Sequence, residues 1–201
     1  MTLPNWKPED YFVDFEPVYY GGPIKNAPLV MKVGWVLRYL HDVIFPDAIK
    51  AVVNGGELAG LLLSFSIVDY LTGYFAGKSS TARDFVAFMN RYYPELYKPY
   101  IDDIYHHLRS GLVHNLNLRN PWIKTTIPFS ISKETEFHLQ PKDGTVKFSI
   151  HHFIEDTRRA GVMYFYDLIM RSTENQELIK KFHKRFNKQD GAASMMIKND
   201  D

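Results

Sequence analysis

Arg109 and His114, with Ser110 after the arginine and Asn115 after the histidine, are the residues of this chain whose types and spacing best suit chemistry. Arginine holds phosphate through planar, charge-assisted bonds, and histidine moves protons near neutral pH. The pair therefore fits phosphodiester chemistry that needs no metal. Five residues along an ideal helix set two side chains roughly 140° apart, at about 100° per residue. Convergence then requires the long arginine side chain, unwinding after Gly111, or a second protomer that supplies half of the site. Tyr100, His107 and His114 share one line at seven-residue spacing, so His107 is the expected neighbour of His114. The plainer alternative is that Arg109 and His114 close a helix C-terminus, where the macrodipole favours cations.

The segment Tyr105-His106-His107-Leu108-Arg109-Ser110-Gly111-Leu112-Val113-His114-Asn115 resembles the Arg-x4-6-His signature of HEPN domains. The resemblance implies a core of four or five helices that usually dimerises, with the motifs of both protomers facing each other. In catalytic members it implies a metal-independent endoribonuclease. His114 would then be general acid or base, and Arg109 would stabilise charge on the phosphorane-like transition state. Attack by a 2′-hydroxyl makes RNA the required substrate. A homodimer, RNA, a cognate antitoxin or other partner protein, and a toxin or defence setting are the partners and context implied; no cofactor and no metal are. Ser110 departs from the pattern, since active members often carry Asn, Asp or His after the arginine. A non-catalytic interaction or nucleotide-binding module is the alternative within the same resemblance.

Other residues of the chain also have types suited to chemistry. Asp69 interrupts the most apolar stretch and needs a partner there; Arg109 is one, and Asp69 either orients it or simply pairs with a nearby base. The basic run from Lys180 to Lys188, with Lys180, Lys181, Lys184 and Arg185 and interleaved Phe182 and Phe186, fits an RNA-contacting helix if it lies near Arg109. Phe182 and Phe186, four apart, equally fit a docked helix end. His106-His107 and His151-His152 lack the spacing of a helical metal motif, because neighbours on a helix point about 100° apart. No phosphate-binding glycine loop, nucleophile elbow or dinucleotide fingerprint occurs.

The 201 residues, 45% hydrophobic and 15% aromatic, suffice for one buried core and call for one domain. With no cysteine there is neither a disulfide framework nor a thiolate zinc site, and a reducing cytoplasm is expected. The opening residues lack a basic start and an apolar core, so no export signal is expected. Leu58 to Ala76 has the length of a membrane span but carries Asp69, so it is expected to be a buried core helix rather than a membrane segment. A net charge of +1 provides no global attraction to polyanions and confines anion binding to a local patch.

The elements that must position these residues follow from spacing. Residues 1–26 form a Pro- and aromatic-rich arm, with Trp6, Tyr11, Phe12, Phe15, Tyr19 and Tyr20 expected to pack on the domain or a partner. Residues 27–189 are expected to form one mainly α bundle, which the resemblance implies is HEPN-like. Leu29, Val33, Val36, Leu37, Leu40 and Ile44 predict a helix stopped or kinked at Pro46 and continued through Val52. Residues 57–76 predict a central helix closed by Gly77, and Ser79-Ser80-Thr81 caps the next, to about Tyr93. Pro94 to His114 predicts a helix with Tyr97, Ile101, Ile104, Leu108 and Leu112 on its core stripe and Asp102, Asp103, His106 and Ser110 off it. Strands are predicted at 123–131 and 137–150, an antiparallel β-hairpin turning at Pro141-Lys142-Asp143-Gly144 and spanning about 123–151. One long helix from Glu155 to about Lys188 and a flexible tail over 190–201 complete the chain.

Overall fold

Residues 57–76 are apolar on nearly every face, and such a helix is stable only when neighbours cover it on all sides. The computed structural model describes residues 26–115, 128–133 and 136–193, with the backbone alone at 113–115 and 189–193. Its helices are α1 (Leu29–Tyr39), α2 (Phe45–Val53), α3 (Glu57–Ala76) and α4 (Ala82–Tyr92). A 3-10 helix, Glu95–Tyr100, then leads into α5, which has α geometry at Ile101–Asp103, π geometry at Ile104–Arg109 and α geometry again at Ser110–Asn115. Two long helices follow the sheet, α6 (Ile150–Ile169) and α7 (Gln176–Ala193). The N-terminal arm and the segment 116–127 lie outside the described residues.

α3 is the axis of the fold. It packs against α2, α4, α6 and α7, and Leu61, Phe65, Val68 and Leu71 are fully buried in these contacts. Among the described residues it is the one helix long and apolar enough to cross a membrane, and more than half of its most apolar window is buried in the fold. A Cβ at Gly60 would overlap Val52 Cγ2, so that glycine allows α2 its close approach. At the other end Gly77, at φ 72°, closes α3 in the left-handed region.

The core stripe expected between Pro94 and His114 is buried as written: Tyr97, Ile101, Ile104, Leu108 and Leu112. The single helix expected there is instead a composite, because Pro99 falls inside it and favours the tighter 3-10 start. The wider π turn also carries His107 onto the buried side with Leu108. A similar π turn, Leu40–Ile44, lets the chain pass Pro46 without stopping, since the proline falls at the start of α2.

The expected antiparallel hairpin is corrected to a three-stranded mixed sheet. β1 (Phe129–Ser132) pairs in parallel with β3 (Thr145–Ser149), and β2 (Pro141–Lys142) pairs antiparallel on its other side. Asp143 and Gly144, at φ 53° and 72°, make the two-residue turn between β2 and β3. Phe137–Leu139 is a turn rather than a strand, and Ile150 already belongs to α6, because Ser149 caps that helix by accepting from His152 N–H. His151 and His152 thus stand in the first turn of a helix, not at a strand end. The long last helix divides at the turns over 170–175, and α7 runs past the expected tail boundary to Ala193.

Candidate active site at Arg109

Asp69 and Arg109 meet between α3 and α5. Arg109 donates from Nε and Nη2 to Oδ2 of Asp69, at 3.0 and 2.7 Å, and Ser80 Oγ donates to Oδ1 at 3.2 Å. Both oxygens of the carboxylate are therefore engaged. The arginine side chain is 16% exposed and the aspartate 22%, so the pair is sheltered but reachable. Tyr105, one turn earlier on α5, lies under the guanidinium at 5.3 Å, and His106 stands edge-on to Tyr105 at 5.1 Å. These contacts fix one edge and one face of the guanidinium and leave Nη1 without a hydrogen bond among the described residues.

Sequence supplied the cap of α4 in outline, and the structure divides the work. Thr81 accepts from Asp84 N–H as the N-cap, while Ser80 serves Asp69. The loop between α3 and α4 thereby becomes part of the site.

The remaining expected residues are distributed as follows. His114 and Asn115 stand in the last turn of α5, and their side chains lie outside the described residues. Ser110 follows Arg109 and is half-buried. His107 is buried, with Nε2 lacking a hydrogen bond and 3.6 Å from Asp103 Oδ1; burial pushes its pKa down, against the pull of Asp103. It packs in the core rather than beside an open site. Lys180 and Lys184 are exposed on α7, whereas Lys181 and Arg185 are half-buried against α3. Phe182 and Phe186 are buried, which docks α7 as expected of aromatics four apart. Among the described residues no three His, Asp or Glu side chains gather where they could hold a metal.

A second polar cluster escaped the sequence reading. Ser149 N–H donates to His138 Nδ1 at 3.0 Å, and a backbone N–H can only donate, so Nδ1 is unprotonated. The ring proton then sits on Nε2 and is donated to Tyr97 Oη at 2.8 Å, and Tyr97 O–H donates onward to Asp156 Oδ2 at 2.9 Å. His152 stacks on His138 at 5.4 Å. Burial, with His152 adding to it, lowers the His138 pKa to about 4, while burial raises that of Asp156 against the opposing hydrogen bond from Tyr97. Leu139, buried beside His138, holds a left-handed φ of 54° and donates its N–H to Lys147 O. In the sequence Tyr97 belongs to the core stripe between Pro94 and His114, and nothing in its spacing points to His138 or Asp156. The relay joins four separate segments, which no single periodicity reports.

Comparison with known proteins finds no family model, curated protein or solved structure that matches this chain.

Proposed function

We propose that this chain is a HEPN-type helical domain that binds RNA phosphate through Arg109 and, as a homodimer, cleaves RNA without a metal at a composite site. The observation that carries the reading is the arrangement of Arg109: Asp69, Ser80 and Tyr105 hold one edge and one face, and Nη1 is left to receive an oxyanion. α geometry resumes at Ser110, so Arg109 and His114 remain well separated around the helix, and the general acid or base at His114 is supplied by the partner protomer. Lys180 and Lys184, exposed on α7, add local positive charge for the strand.

One observation favours a second reading, a binding module that cleaves nothing. Asp69 neutralises Arg109, and a paired arginine is a weaker transition-state stabiliser than a lone one. The test is cleavage of single-stranded and structured RNA in excess chelator, with Arg109→Ala and His114→Ala beside the wild type. Chelator-resistant cleavage lost in both folded variants supports the nuclease. RNA binding that depends on Arg109, with no cleavage at any enzyme concentration, supports the module instead.

A further inference from the structure

Arg185 is placed unlike the exposed lysines of α7. Its Nε is shut off from solvent, with no hydrogen-bond partner among the described residues. The same atom lies 3.2 Å, and Cζ 3.6 Å, from the point where a Cβ on Gly73 would stand, with the Lys78 carbonyl oxygen 3.3 Å from that point. The guanidinium thus lies against a bare turn of α3, in space that any side chain at Gly73 would take. One turn earlier on α7, the backbone of Lys181 passes as closely over Gly77, so the two glycines let α7 approach α3. A buried donor left unsatisfied costs free energy, and with Nε closed to solvent it is the Nη end of this half-buried side chain that can meet a ligand.

Gly73 follows Asp69 by one turn on the same face of α3, about 6 Å along its axis. Asp69 grips Arg109, and the loop that supplies Ser80 to Asp69 also supplies the Lys78 carbonyl beside Gly73. Two guanidiniums therefore stand over successive turns of one helix, the first half-used and the second without a hydrogen bond among the described residues. Asp69 offsets the charge of Arg109; Arg185 has no such counterion among the described residues.

We propose that Arg185 is a second phosphate ligand of the Arg109 site, so that the two guanidiniums take neighbouring phosphates of one RNA strand. The proposal rests on the reading that Arg109 holds an RNA phosphate. It gives that site the net positive charge that the Asp69–Arg109 pair lacks, and it selects a polymer over a lone phosphate.

The test is anisotropy of a labelled single-stranded oligoribonucleotide with the full chain, in chelator, over a range of KCl. Arg185→Gln is expected to weaken binding about tenfold and to flatten the salt dependence by roughly one phosphate contact, as Arg109→Gln does. Lys50→Gln, an exposed charge on α2 outside the site, is expected to do much less. Without RNA, Arg185→Gln should melt at or above the wild-type temperature, because it removes an unsatisfied buried donor. Wild-type affinity and salt slope in Arg185→Gln, with Arg109→Gln impaired, would overturn this proposal and leave the Arg109 site standing. No RNA binding by the wild type would remove the site reading and this proposal together. Should Arg185→Gln fail to fold, Arg185→Lys keeps the charge but not the fork. Weakened binding in a folded Arg185→Lys supports the proposal, and unchanged binding overturns it.

Discussion

Asp69 carries the heaviest consequences of any single residue. It lies inside an apolar helix, and its two oxygens are spent on Arg109 and Ser80, so removing it strands a sheltered guanidinium. Asp69→Ala should cost about 1–3 kcal/mol, read from urea denaturation, because the remaining partner is left unsatisfied. Loss of stability alone would fit a purely structural pair. As a positioning residue Asp69 should also lower RNA affinity when removed, and Asp69→Asn, which keeps an acceptor oxygen for Arg109, should recover most of that affinity. An Asp69→Asn protein that binds RNA no better than Asp69→Ala would leave only the structural role. His107 is the opposite case. Expected from its spacing to stand beside His114, it is buried, with Nε2 in no hydrogen bond among the described residues and 3.6 Å from Asp103 Oδ1. His107→Leu should therefore melt within about 1 kcal/mol of the wild type or above it, and bind RNA unchanged. A loss of RNA affinity in a folded His107→Leu would return His107 to the site.

Between elements, the relay Ser149–His138–Tyr97–Asp156 ties the turn before β2 to the 3-10 helix and to α6. Protonating His138 would set a second N–H against the Ser149 N–H, so the ring must stay neutral for the contact to hold. Its folded pKa, lowered from 6.5 to about 4, gives a definite sign: the unfolded chain binds the proton first. Stability is full above pH 6.5 and is lost as pH falls toward 4, by about 3 kcal/mol at about 1.4 kcal/mol per pH decade. The lowered pKa values of His107 and His183 act in the same direction. Asp156, with its pKa raised, acts in the opposite direction, regaining stability on acidification. Urea midpoints measured from pH 7 to 4 should fall more steeply for the wild type than for His138→Gln; parallel curves would show that His138 does not govern the acid loss. Elements with strong local signals were legible in sequence: α3 from its apolar run, Gly77 as its cap, the core stripe of α5, and the Asp143-Gly144 turn. What was missed depends on contacts remote in sequence. The parallel pairing of β1 with β3 is set by tertiary packing and not by the alternation that both strand directions share. The π turn over the Arg109 motif leaves no mark on composition, and His138 and Asp156 look like surface residues until Tyr97 is brought to them.

For the whole molecule, a net charge of +1 means that any hold on RNA is local, and a single Asp69-paired arginine with a His114 set round the helix is a poor catalyst alone. Two-fold symmetry in the proposed homodimer would change this. Each of two equivalent sites would take Arg109 from one protomer and His114 from the other, so neither residue need turn toward its own neighbour. This makes a prediction that affinity measurements cannot make. Arg109→Ala and His114→Ala proteins, each inactive alone, should regain RNA cleavage when unfolded together and refolded as a mixture. Random pairing makes about half of the dimers mixed, and each mixed dimer holds one intact site of two, so about a quarter of wild-type activity is expected. Sedimentation of the same mixture should report dimers throughout. If each site drew both residues from one protomer, every site in the mixture would carry one of the two substitutions, and mixing would restore nothing. A monomer in sedimentation at working concentration, with wild-type cleavage, would likewise discard the composite site while leaving Arg109 as its phosphate ligand.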